Sequence, residues 1–228
     1  MNLDTDELER QKMDALAEFA AGAGHEINNP LAIIGGRVQL LLREIEHPEH
    51  RRQLGIIAAQ VKRAYEMIAD IRFFARPPQP EWNSFNLSEE LQTLVAEQRP
   101  LMTAAGVTFH TDIVREEETG VESDPVLLRV AVSILCNNAR EAVQLTGGTV
   151  ELRLYRTASR WEIVVNDDGS GISEEMRPLI FYPYYSGREA GRGLGFGLPK
   201  AWRIMQLLGG AIRYEPESGF ILTVPRHR

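Results

Sequence analysis

A single cysteine, Cys136, stands among 228 residues. No intrachain disulfide can form, and a reducing compartment, the cytoplasm, is the expected home. Long apolar runs are missing as well: nothing approaches the roughly 20 residues of a membrane span, and there is no secretory hydrophobic region. Membrane contact is expected only through some further upstream segment. The third shortage is of positive charge. Lys and Arg number 25 against 32 Asp and Glu, for a formal charge of −7, so the basic footprint of a nucleic-acid binder is absent and no nucleic acid is expected as a partner. Internal repeats and low-complexity tracts are also lacking. What the chain does have is a hydrophobic fraction of 43%, enough for one large core or two small ones.

In the N-terminal part, Leu16, Ala20, Ala23, Ile27, Leu31, Ile34, Val38, Leu41 and Ile45 recur in steps of three and four, the seam of a packed helix. Two consecutive steps of four meet at Ile27, a stutter that unwinds a supercoil locally. Pro30 lies beside it and frees the carbonyl of Glu26, so a bend is expected there. After a polar turn at His47, Pro48 and Glu49, a second seam runs through Leu54, Ile57, Val61, Ala64, Ile68, Ile71 and Ala75. Two such helices form an antiparallel hairpin that buries its stripes best in a four-helix bundle of two copies, which predicts a homodimer.

Arg76-Pro77-Pro78-Gln79-Pro80 ends the second helix as an extended linker. The expected domains are therefore a helical hairpin over 1–80 and a second domain over 81–228. In the latter, Ser88 is expected to cap a helix to about Ala105, Val107 to Val114 to form a strand, and Asp124-Pro125 to open a helix to about Leu145. Thr149 to Tyr155 and Trp161 to Val165 alternate as strands. Leu198 to Leu208 reads as a helix ended by Gly209-Gly210, and Ala211 to Tyr214 with Phe220 to Val224 as a closing hairpin. The fold class is a multidomain one: an all-α hairpin followed by an α/β sandwich with helices on one face of a mixed sheet.

Four stretches carry chemistry. In His25-Glu26-Ile27-Asn28-Asn29-Pro30-Leu31, the seam positions Ala23 and Ile27 leave His25 on the outward side. Glu26 is placed to take a proton from its imidazole, and Asn29 shares its face one turn on. In Ile134-Leu135-Cys136-Asn137-Asn138-Ala139-Arg140-Glu141, two asparagines interrupt an apolar helix that disfavours them. Asn166-Asp167-Asp168-Gly169-Ser170-Gly171-Ile172 follows a strand directly. Gly193-Leu194-Gly195-Phe196-Gly197-Leu198 opens a helix with alternating glycines, whose bared amides suit anions; it follows Phe181-Tyr182-Pro183-Tyr184-Tyr185-Ser186 and a loop bearing Arg188 and Arg192. Singly, these also read as a surface histidine, an exposed amide pair, a turn and an ordinary glycine loop.

Together and in this order they resemble the H-box, N-box, first glycine box, F-box, lid and second glycine box of the sensor histidine kinases of two-component systems, over about Leu16 to Val224. The resemblance implies an ATP-binding domain of the gyrase and histidine-kinase type behind a dimerisation and phosphotransfer hairpin. By it, His25 is the phosphoacceptor, Glu26 its acid/base partner, and Asn29 the residue used to dephosphorylate the response regulator. Asn138 is implied as the ligand of Mg²⁺ bridging the ATP phosphates, an oxygen donor suited to that hard cation. Asp167 is implied to accept from the adenine amino group while Gly169, Gly171 and Ile172 shape the loop around the base; Asp168 is the variable position. Arg188, Arg192, Gly193, Leu194 and Gly195 would surround the triphosphate. The implied function is ATP-dependent autophosphorylation of His25 and transfer to an aspartate of a receiver domain, with the linker from Arg76 to Trp82 as hinge. Regulator contacts are expected near Arg37 and Leu41 and on facing positions of the second helix.

Two positions depart from the commonest pattern. Ile134 stands where an earlier Asn is frequent, and Glu141 where a basic residue contacts the γ-phosphate. Ile134 also bears on a gyrase-like ATP-driven clamp, since those ATPases use a glutamate there to activate water. A further alternative is a degenerate kinase that docks and dephosphorylates its regulator.

Overall fold

The computed structural model describes residues 3–114, 120–144, 147–157, 159–183, 185 and 195–225, with side chains in the first helix given at 22, 24 and from 26 onward. The chain divides into two compact units, Met1–Pro78 and Gln79–Arg228.

The first unit is a helical hairpin. Helix α1 spans Leu3–Glu44 and continues through Pro30, and α2 spans Pro48–Ala75. Leucine, alanine, glutamate and arginine sustain the helices, and α2 starts with Pro48 at a position where its missing N–H costs nothing. Arg51 of α2 reaches back to donate to the carbonyls of Leu42 at 2.5 Å and Ile45 at 3.0 Å, satisfying the end of α1 across the turn.

The single stripe expected on each helix resolves into two rows. Val38 and Val61 are buried and Leu31, Ile45, Leu54 and Ile68 are half-buried, so this row closes the hairpin. The alternate row remains open: Ile27, Ile34, Leu41 and Ile57 are 47%, 44%, 43% and 43% exposed. In a seam with three-and-four spacing each row repeats every seven residues, and one partner helix covers only one row.

The second unit has a five-stranded sheet of order β2-β4-β5-β7-β6, formed by β2 (Thr108–Ile113), β4 (Thr149–Arg156), β5 (Arg160–Asp167), β6 (Ala211–Glu215) and β7 (Gly219–Pro225). β2 pairs with β4 in parallel and the other pairs are antiparallel, so the sheet is mixed. Helices α3 (Leu87–Ala104), α4 (Pro125–Val143) and α5 (Gly197–Leu207) pack on it, α4 over β4 and β5. Val150, Leu152, Leu154, Trp161, Ile163 and Val165 form the buried side of the central strands with Leu128, Ala131, Leu135 and Ile204 of the helices. On the other side Arg213 donates to Glu162, Glu215 and Thr223 at 2.8 to 3.1 Å.

Two details differ from expectation. The cap of α3 is Asn86, whose side chain accepts from the Glu89 amide. Ser88 lies inside the first turn, buried, and its hydroxyl donates to the Val114 carbonyl at 2.5 Å. A small antiparallel sheet also joins β1 (Asn83–Asn86) to β3 (Gly120–Ser123). Asp124 caps α4, accepting from Leu127 at 2.9 Å, and its second oxygen takes the Glu81 amide at 2.8 Å.

Candidate functional site

The His25 motif lies inside α1. The His25 side chain is outside the described residues, but its neighbours define the setting. Gly24 is buried, and a Cβ there would stand 3.1 Å from Ile68 Cγ2, so a glycine lets α2 come close at this level. Glu26 and Asn29 are exposed. Asn28 points toward α2: its carbonyl accepts from Tyr65 Oη at 3.2 Å and its side-chain oxygen is shut from water without a partner. The helical period puts Asn29, Ile33, Gly36 and Leu40 on the row of His25. There Ala32, Ile33, Gly36, Arg37 and Leu40 line a shallow groove with Gln39 and Arg43.

In the second unit three of the remaining stretches converge on one face of α4. At its middle, a Cβ on Gly197 would lie 3.4 Å from Ile134 Cγ2 and 3.8 Å from Asn138 Oδ1, so the start of α5 rests on these two side chains. The cap residue of α5, Phe196, makes no side-chain hydrogen bond to the first turn, whose amides lie at the positive end of the helix. One turn further along α4, Ala142 meets Gly169, where a Cβ would come within 3.1 Å of Ala142 Cβ. The loop carrying Gly169 begins at the end of β5, where Asp167 Oδ1 accepts from the Gly169 amide at 3.1 Å. Asn138, Gly169 with Asp167, and Gly197 thus meet along one face of α4, while Gly171 and Ile172 continue the loop toward Tyr214 of β6. Glu141 is exposed on the same helix, three residues past Asn138.

Gly195 has φ +68°, and a Cβ there would collide with the backbone of Tyr185, so these two residues lie in backbone contact. Arg188, Arg192, Gly193 and Leu194 themselves lie outside the described residues. Cys136 is buried on the core side of α4, and burial pushes its thiol up to about 12.

An amide side chain beside the start of α5 fits a magnesium–triphosphate complex, since Mg²⁺ takes oxygen donors and keeps waters and phosphate oxygens among its ligands. Among the described residues no three His, Cys, Asp or Glu converge into a closed metal cage. None of their helices is long and apolar enough to cross a membrane.

Two contacts of the first glycine loop were not foreseen. Asp168 Oδ1 accepts from the Thr149 amide at 2.7 Å, and Tyr214 Oη accepts from the Ile172 amide at 3.2 Å. No motif contains Tyr214, which stands 42 positions from Ile172, so only the fold brings them together.

Comparison with known proteins finds two family matches. Residues 15–80 match the family of His Kinase A (phospho-acceptor) domains, and residues 123–228 match the Histidine kinase-, DNA gyrase B-, and HSP90-like ATPases. Sporulation kinase D of Bacillus subtilis is 28% identical over 221 residues, covering 94% of this chain and 42% of the relative; the chain thus spans less than half of that protein. Among solved structures, full-length ShkA in complex with AMPPNP superposes with a TM-score of 0.76 at 22% identity, over 91% of this chain and 45% of that one. The histidine kinase ThkA, in complex with the response regulator protein TrrA, gives 0.67 at 24% identity over 95% and 64%. At these identities the structural likeness establishes the fold.

Proposed function

Because the chain belongs to the sensor histidine kinases of two-component systems and carries their catalytic core, we propose that it phosphorylates His25 from ATP and passes the phosphoryl group to an aspartate of a response-regulator receiver domain. The observation that carries this is the convergence of Asn138, Asp167, Gly169 and Gly197 on α4, in a chain whose other unit presents the His25 motif. The proposed division is 1–80 for dimerisation and phosphoacceptance and 81–228 for ATP binding.

In this reading Asp167 accepts from the adenine amino group, the amides at the start of α5 hold phosphate oxygens, and Arg188 and Arg192 approach the triphosphate from the loop. Asn138 would hold Mg²⁺, which when bound would supply charge neutralisation at the phosphates. An imidazole nitrogen of His25 then attacks the γ-phosphorus, the bond from that phosphorus to the ADP oxygen breaks, and Glu26 takes the ring proton. Positioning and charge neutralisation do most of the work, as in phosphoryl transfer generally. Ile134 offers no base for water and Glu141 no cation for the γ-phosphate, which leaves the two loop arginines to supply that charge. This favours transfer over hydrolysis.

The receiver domain docks on the groove below His25. Arg37 and Leu40 line that groove, and Leu41 is exposed beside it on the open apolar row. Asn29, exposed on the same face, is suited to orient a water on the regulator's phosphoaspartate, so the reverse dephosphorylation belongs to the same surface. Incubation with γ-labelled ATP tests the proposal: an acid-labile, alkali-stable label is expected, absent from His25→Gln. Label persisting in that variant would overturn it.

A further inference from the structure

The implied adenine contact, Asp167, is the last residue of the β5 ladder, and the loop from Asp168 to Ile172 that follows it has no strand ladder of its own, so something else must fix its backbone. Its two ends are held by side chains outside the nucleotide motifs' invariant positions. At the first end, the Asp168 amide donates to the Thr149 carbonyl at 3.2 Å while the Asp168 carboxylate accepts from the Thr149 amide at 2.7 Å. This closed pair of bonds extends the β4–β5 ladder by one side-chain step. Gly148 leaves room for it, since a Cβ at that position would overlap the Asp168 carboxylate. At the second end Tyr214 of β6 accepts from the Ile172 amide at 3.2 Å. The Tyr214 ring is seated against Phe220, 5.1 Å between centroids, and Phe220 meets Phe181 edge-on at 6.5 Å. The hydroxyl is therefore held in place by an aromatic row that begins in the stretch preceding the lid.

The geometry points to Asp168 and Tyr214 as positioning residues that pin the two ends of the adenine loop, so that Asp167 is oriented before nucleotide arrives. This rests on the ATP-site reading above. Asp168 is exposed and Tyr214 half-buried, and replacing Tyr214 by Phe keeps its ring against Phe220, so the bonds these two groups make order the loop rather than the domain. Without them the loop's ordering is charged to nucleotide binding, which lowers affinity and leaves the chemical step alone.

The test compares Asp168→Ala, Asp168→Asn and Tyr214→Phe in the full chain. Each lost bond is a single hydrogen bond, so Asp168→Ala and Tyr214→Phe should each raise the KM for ATP about fivefold. The kcat of autophosphorylation and the nucleotide-free melting midpoint should stay near those of the unaltered chain. Asp168→Asn keeps an acceptor oxygen and should recover most of the affinity. Unchanged KM in both Asp168→Ala and Tyr214→Phe would overturn the pins, as would a fall in melting midpoint and kcat that tracks the rise in KM. An unaltered chain with no Mg²⁺-dependent affinity for ATP would instead sink the ATP-site reading itself, and the pins with it.

Discussion

Gly195 and Cys136 show how differently single positions can be constrained. At Gly195 the backbone is left-handed, φ +68°, and a Cβ would press on the Tyr185 carbonyl carbon at 2.7 Å and nitrogen at 2.9 Å. Both neighbours are backbone, which cannot swing aside as a side chain does, and the left-handed conformation alone costs an L-residue roughly 1–2 kcal/mol. Gly195→Ala should therefore weaken ATP binding by about tenfold or more, measured as a reduced thermal shift on adding Mg²⁺ and ATP, while the melting midpoint without nucleotide changes little. The GxGxG pattern made this glycine legible in the sequence. Asp168 was not, because its role depends on Thr149 lying opposite across a ladder. Cys136 is a different case. Burial raises its thiol from 9.0 to about 12, so the native chain should resist maleimide at pH 8 and react once guanidinium unfolds it. The folded value lies above the unfolded one, so this group's contribution to stability is complete below pH 9 and is lost as pH rises toward 12. Rapid labelling of the native chain would contradict the buried placement.

Among elements, the start of α3 shows where local pattern reading stops. Asn86 and Ser88 are both ordinary capping residues and both precede an apolar periodic run. The choice between them is made by Val114, 26 residues away, whose carbonyl takes the Ser88 hydroxyl. That leaves Asn86 to accept from Glu89 at 3.1 Å. Asn86→Ala should cost about 1 kcal/mol in urea unfolding. Ser88→Ala should cost a similar amount by stranding a half-buried carbonyl; if Asn86→Ala were neutral, the cap assignment would be wrong. β1 and β3 escaped sequence reading for a related reason. Each is four residues long and pairs only with the other, too short for alternation to stand out from a loop. Strand β4 and helices α4 and α5 were legible because their apolar residues face a core on one side and so follow the period of the element, and β5 and β7 as short, largely apolar runs. The α3 to α4 clip is likewise non-local: Arg129 bonds Glu90 and Glu97, and the Glu90 carboxylate holds its guanidinium pKa above the ordinary range.

At the scale of the whole molecule, the seam that looked like one stripe has a consequence for assembly. Steps of three and four place alternate apolar residues on two rows, and a lone hairpin covers only the row of Leu31, Val38 and Ile45 against Leu54, Val61 and Ile68. The row of Ile27, Ile34, Leu41 and Ile57 still faces water, a contiguous apolar surface of the kind that soluble chains cover. A second hairpin related by a two-fold axis presents the identical row, so each copy covers the other and the four helices share one core. Sequence could give the spacing but not the split, since both rows obey the same three-and-four rule until a partner helix is placed on one of them. The chain should therefore sediment as a dimer at micromolar concentration. Ile34→Glu introduces a charge in the middle of the open row, where the unfavourable burial of an unpaired carboxylate acts in both copies at once. It should shift the equilibrium to monomer by more than about tenfold. The affinity for ATP, set by α4 and the glycine loops of the other unit, should remain as it was. A dimer that survives Ile34→Glu would place the interface elsewhere, and a monomeric unaltered chain would leave the open row without the partner that its spacing requires.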